Sequence, residues 1–281
     1  MTLLLAVAIL LQQEDSIRKL IEQLGEDRIE TREEAFRKLE ALGRPALALL
    51  EKAANDPDGE VANRAKSLLV RIPIRERLTP ALLDHVKGIH ERLAQGEWKQ
   101  VFLDLAADLR QPDDKRRFPG VRAEDLSFMA PLAVQRARTE ADKIAVCEAV
   151  GRCKLKSALP EVVKLFQDEQ VMVRANAAAA VRDAGSREEL PALRTLVKDP
   201  HPVVRSVVVH AFGRLGARET VPDLVALLRD PSKDVRWWAV RALVDLDARE
   251  TLASLTPLQD DADESVRRVA TEAVAKFSGK R

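Results

Sequence analysis

The sequence predicts an all-α protein in which helix pairs stack in a row as an α-solenoid, and three observations carry that expectation. The composition favours helices. Of 281 residues 46% are hydrophobic and only 4% aromatic, tyrosine is absent, and alanine and leucine dominate, whereas sheets draw on aromatic and β-branched side chains. The chain also repeats itself with a period of 31, because Val173, Val204, Val235 and Val266 recur at that step, each followed by an arginine. Each period holds two amphipathic helical patterns separated by turn residues. With 32% charged residues, 11 Gly and 14 Pro, disordered, collagen-like and low-complexity chains are set aside.

In chain order, residues 1–13 open with the apolar run TLLLAVAILL, which is too short to span a bilayer, so no transmembrane anchor is expected. It reads as a short export signal, without a preceding Lys or Arg and without an A-x-A-like site after it, or as the first helix of the array. Compartment, cytoplasmic or exported, stays open between the two. Residues 14–72 are expected to hold helix pairs. There Arg32-Glu33-Glu34-Ala35 and Arg64-Ala65-Lys66-Ser67 lie 32 apart, and Gly43-Arg44-Pro45 stops one helix and starts another. Residues 73–140 form a divergent helical middle without the period, in which QPDDKRRFPGV, residues 111–121, is the longest stretch lacking a helical pattern. Residues 141–281 are the clear repeat array. The whole is expected to be one continuous array, not a set of separable globular domains.

Within the array the register is carried by several marks at once: Leu165, Leu196, Leu227 and Leu258; Asp168, Asp199, Asp230 and Asp261; Pro160, Pro191 and Pro222. The first helix of a unit places Val235, Ala239, Ala242, Leu243 and Leu246 on one stripe. Small residues dominate that stripe, with Ala177 and Ala180 or Ala270 and Ala273 elsewhere, so neighbouring helices can approach closely. The second helix opens at Pro191 or Pro222, where the missing amide costs nothing, and runs through Leu193, Leu196 and Val197 or Leu224, Leu227 and Leu228. Gly185 and Gly216 are expected as left-handed C-caps. Neither helix buries its stripe alone, so stacking supplies the core.

The pattern P-x-L-x-x-L-x-D followed by x-V-R-x-x-A-x-x-A-L, with Gly and Ala-Arg-Glu between helices, resembles HEAT repeats. It is most similar to the short repeats also found in phycobilisome lyases. The resemblance covers residues 143–277 well and residues 14–72 moderately. It implies a right-handed α-solenoid whose second helices line a concave, partner-binding surface, and for most such proteins an interaction scaffold.

Positions that recur at every step serve stacking, whereas exposed positions that change are free to serve a partner. An arginine near a helix N-terminus opposes the macrodipole and asks for a compensating acid. Asp168, Asp199, Asp230 and Asp261 are therefore expected to hold Arg174, Arg205, Arg236 and Arg267, or their neighbours, in a structural ladder between repeats. On the outer face of the second helices the changing positions include Lys164, Lys198 and Arg229 among acids such as Glu161, Asp223 and Asp260. Trp237 and Trp238 replace Ala175 and Asn176 or Ser206 and Val207, and two adjacent helical positions point about 100° apart, so one of them packs and the other covers a junction or anchors a partner. Arg116 and Phe118, in the run Lys115-Arg116-Arg117-Phe118, are the remaining candidates, since binding residues concentrate in loops; Asp113 and Asp114 partly neutralise that run.

No catalytic residues, metal ligands or cofactors are expected. Cys147 and Cys153 lie at small helical positions, and no phosphate loop, nucleophile elbow or paired-cysteine motif is present. The histidines His85, His90, His201 and His210 form no ligand pattern, and the single His90-Glu91 dipeptide falls outside the clear repeats. A net charge of +1 and acids on the changing face argue against nucleic acid. The expectation is a non-enzymatic scaffold or adaptor for a protein partner of unknown identity. A nucleic-acid-binding protein is the alternative, with a phycobilin lyase-like enzyme below it.

Overall fold

The computed structural model describes residues 2–279, with side chains from residue 11 onward. Every regular element among these residues is an α-helix or a 3-10 turn. The contacts sort them into two compact units, one reaching to Glu97 together with Phe118–Val121, the other made of Trp98–Arg117 and Arg122 onward. The division falls inside the middle region, 73–140, at neither of its ends. The first helix, α1, runs over Thr2–Glu22. The export-signal reading of the apolar opening rests on side chains outside the described residues, and among the described residues no helix is long and apolar enough to cross a membrane.

The first unit continues with α2 (Ile29–Leu42), α3 (Leu47–Ala53), α4 (Gly59–Arg75), α5 (Pro80–His85) and α6 (Ile89–Ala94). Ile17, Leu24, Leu39, Leu50, Leu68 and Ile72 close its core. Asp58 starts α4 by accepting the amides of Glu60 and Val61, an N-cap that satisfies two orphan donors. Arginines join elements about one period apart: Arg64 to Glu33 at 2.9 Å, Arg71 to Glu40 at 2.7 Å and Arg44 to Glu76 at 2.8 Å.

The second unit begins with α7 (Trp98–Asp108) and α8 (Ala130–Arg136) and then alternates long and short helices. The long ones are α9 (Glu140–Arg152), α11 (Val171–Ala184), α13 (Pro202–Arg214), α15 (Lys233–Asp245) and α17 (Glu264–Ser278). Between them lie α10 (Leu159–Lys164), α12 (Leu190–Thr195), α14 (Val221–Leu227) and α16 (Leu252–Leu255). Each short helix is entered through a 3-10 turn, as at Arg218–Thr220 and Arg249–Thr251, so the second helix of a repeat is one or two α-turns only.

The turn after each long helix corrects one expectation and generalises another. Gly216 has φ 64 and is left-handed as expected, but Gly185 has φ −77 and ψ −176, an extended conformation. A side chain at Gly185 would instead collide with the Val181 carbonyl, its Cβ only 2.4 Å away. One period before Gly185 and one after Gly216, Lys154 (φ 54) and Asp247 (φ 48) take the left-handed conformation without glycine. Stacking imposes that turn on residues whose intrinsic preference opposes it.

Candidate partner-binding surface

The recurring charges form a ladder whose rungs cross from each repeat to the next. Arg174 grips the Asp199 carboxylate with Nε and Nη2 at 2.7 and 3.1 Å, Arg205 grips Asp230 at 2.8 and 2.7 Å, and Arg236 grips Asp261 at 2.8 and 2.7 Å. The acid six residues upstream takes part differently. Its backbone carbonyl, not its carboxylate, accepts Nη1, as Asp168 does for Arg174 and Asp199 for Arg205. Each carboxylate also accepts an amide at the start of the next long helix, Asp199 from His201 and Asp230 from Ser232, both at 2.8 Å. The compensating acid for a helix N-terminal arginine is thus one repeat ahead. At the ends, Lys143 takes the arginine's place on Asp168, and Arg267 keeps only the carbonyls of Asp261 and Ala262.

These bonds set the titration of the acids. Burial pushes Asp199 and Asp168 up, but hydrogen bonds from Arg174 and Lys143, backbone amides and the neighbouring cations outweigh it and hold both below the usual carboxylate range. The Arg236 hydrogen bond lowers Asp261 against its burial. A second series, from Arg187 and Arg218 in the Arg-Glu pairs that open two of the 3-10 turns, escaped sequence reasoning. Arg218 donates to the Leu246 and Asp247 carbonyls at the end of α15, and Arg187 to the Gly216 carbonyl after α13. There a cation meets the negative end of a helix.

The two rows of helices in the second unit are not equivalent. The long helices pack side by side, α9 on α11, α11 on α13, α13 on α15 and α15 on α17, whereas no comparable contact joins one short helix to another. Ala180, Ala211, Ala242 and Ala273 are buried at one register of the long row. The short row gapes, with a groove of about 720 Å³ between α14 and the α16 segment. The long helices therefore form the continuous packed row of this unit, and the short ones stand apart on the other side. Lys164, Lys198 and Arg229 lie on the short-helix row, where Lys164 is held by Glu161 at 2.7 Å and Arg229 lines the groove.

The structure brings the tryptophan pair to the long row, beside an open groove of about 500 Å³ lined by His210, Gly213, Arg214, Trp237, Trp238, Arg241 and Asp245. Neither indole is buried. Trp238 stacks on His210 of the preceding long helix at 4.0 Å between ring centroids and 15° between planes. Trp237 meets Trp238 edge to face at 4.8 Å, with the Arg241 guanidinium 6.0 Å from the Trp237 ring centre. Burial, then the charges of Arg182 and Arg214, lower the His210 pKa against the pull of Asp183 and Asp245, so the imidazole is neutral near pH 7. Met172 and Val203, 47% and 40% exposed, stand one period apart in the first turns of α11 and α13. Sequence reasoning did not place His210, Arg214, Arg241 and Asp245 here, although the step of 31 from Asp183 to Arg214, Asp245 and Lys276 was available to it.

Arg116 is a correction. Its side chain is only 10% exposed and faces Asp108 and Asp113 at 3.9 and 3.6 Å, while the Arg117 amide donates to the buried Asp108 carboxylate at 2.8 Å. Arg116 is taken up within its own loop, whereas Lys115 and the Arg117 side chain stay exposed and Phe118 is half-buried. Among the described residues no group of three or more His, Cys, Asp or Glu is placed to hold a metal ion. His90 is bound up with Glu91 at 2.8 Å, and His201 caps α13 by accepting the Val203 amide. Burial pushes the Cys147 thiol up to about 12 and raises Cys153, so neither is an activated nucleophile.

Residues 130–211 and 194–275 match the family model described as HEAT repeats. No curated protein matches the chain. Among solved structures it is similar to human deoxyhypusine hydroxylase in complex with glycerol, at 18% identity over 96% of this chain and 98% of that one, with a TM-score of 0.37. It is similar to a designed armadillo repeat protein at 19% identity over 92% and 98%, TM-score 0.34, and to an engineered protein at 17% over 92% and 77%, TM-score 0.40.

Proposed function

The chain belongs to the HEAT-repeat family, and on that premise we propose that it is a non-enzymatic scaffold that takes up a protein partner across the long-helix face of its second unit. One observation carries the reading. The tryptophan pair interrupts the repeat where other long helices keep Ala175 and Asn176 or Ser206 and Val207, and both indoles stay half-exposed beside a groove instead of closing the core. Half-exposed tryptophan at a preformed concavity is the residue type that most often anchors a protein contact. The ladder charges support the same reading from the other side, because they are engaged in holding repeats together and are unavailable to a ligand.

A nucleic-acid role would call for a continuous basic strip with stacking platforms. Asp183 and Asp245 interrupt that sign on the long row. The test is affinity capture from native cell extract with the full chain and with a Trp237→Ala/Trp238→Ala form of equal helicity. Proteins retained by the native chain and lost from the variant support the proposal. Identical capture by both forms, or recovery of nucleic acid alone, overturns it.

A further inference from the structure

The groove at the tryptophan pair also carries information about what its partner must bring, an inference that rests on the scaffold reading above. The ladder arginines Arg174, Arg205 and Arg236 are each held by a carboxylate and two carbonyls. Arg214 and Arg241 differ. Among the described residues no carboxylate holds either of them, and Arg241 has only the Trp237 ring. The acids nearby do not cancel them. Asp183 is gripped by Arg182 of its own helix through both oxygens at 2.8 Å, which leaves Asp245 as the one carboxylate lining the groove against two guanidiniums.

The floor is aromatic and uncharged, built from Trp238 stacked on a neutral His210. A planar guanidinium beside such a floor is suited to a carboxylate, which it can hold with two parallel hydrogen bonds. The partly exposed indoles of Trp237 and Trp238 are suited to an apolar or aromatic side chain. We propose that this groove receives an acidic segment of a protein partner, with a carboxylate on Arg214 or Arg241 and a neighbouring apolar side chain against Trp237 and Trp238.

The experiment titrates the full chain, followed by tryptophan emission and calorimetry, with defined probes. These are a short Glu-rich peptide with one central Phe, its Lys-rich counterpart, the Glu-rich peptide with Ala for Phe, and an oligothymidylate. The Glu-rich Phe peptide is expected to bind, with affinity falling about tenfold or more in Arg214→Glu and Arg241→Glu. It should fall similarly when Ala replaces Phe and stay unchanged in Lys198→Glu on the short-helix row. Arg214 is exposed and free of structural bonds, so its reversal tests the site without unfolding it. Equal binding in the reversal variants, or no binding of the Glu-rich peptide, overturns the inference. Preference for the Lys-rich peptide with Trp238-dependent emission overturns it while keeping the scaffold reading. Binding of the oligonucleotide with neither peptide overturns both.

Discussion

At Arg205 one guanidinium binds the Asp230 carboxylate of the next repeat and the Asp199 and Pro200 carbonyls of its own loop. Because that pattern recurs, the acid sensitivity of the array is set by a few aspartates. Asp168, Asp199 and Asp261 titrate below their ordinary range when folded. Their contribution is therefore fully present above the unfolded carboxylate pKa and is lost as pH falls through the folded one. Melting temperature should be flat from about pH 7 to pH 8, slip gently below about pH 6.5 as the unfolded chain gains a proton that folded His210 resists, and decline more steeply below about pH 4. Asp199→Asn should cost about 1.5–3 kcal/mol at pH 7, and its deficit against the native chain should shrink as pH drops through that lower limb. A deficit constant with pH would show that the carboxylate's charge is not what matters. Lys154, at φ 54, offers the opposite change: Lys154→Gly should raise stability by about 0.5–1 kcal/mol in urea unfolding, the left-handed strain removed less the added chain entropy.

Among the elements, the long helices depend on close approach. Gly213 sits inside α13, where a Cβ would lie 3.1 Å from the Ala242 Cα and 3.2 Å from its Cβ. In an isolated helix Gly→Ala gains about 1 kcal/mol, but here the added methyl presses on a neighbouring backbone and overpacking costs about 1–3 kcal/mol. Gly213→Ala should accordingly lower the melting temperature, and a rise would mean that α13 and α15 have slack between them. The stripe of alanines that permits this approach was legible in the sequence because burial and period coincide in it. The brevity of the second helices was not. Proline in the first turn and leucines at helical spacing suit a 3-10 segment as well as an α-helix, and the difference is decided by how far the chain must travel to the next long helix. The tryptophan groove joins His210 to Trp238, residues of adjacent repeats, so the departure from pattern was visible at Trp237 and Trp238 while their surroundings were not.

Across the whole molecule, repeats in the second unit touch mainly their neighbours, so the energy of one rung is felt locally and decays along the stack. Arg205→Ala leaves Asp230 buried without its partner and should cost about 2–3 kcal/mol. The two compact units add a prediction about where that loss appears. Native-state hydrogen exchange should show the largest loss of protection in α13 and α15, less in α11 and α17, and none in α2 and α4. The reason is that opening between α13 and α15 exposes their apposed alanine faces while the stripes of the first unit remain covered by their own helices. A uniform loss along the chain would require every repeat to open in one cooperative step and would contradict a ladder of pairwise rungs. A loss confined to α13 alone would mean that the rung does not bind neighbouring repeats to each other. The same measurement on Arg214→Glu separates stability from recognition, because an exposed arginine without structural bonds should leave the protection pattern of the native chain unchanged.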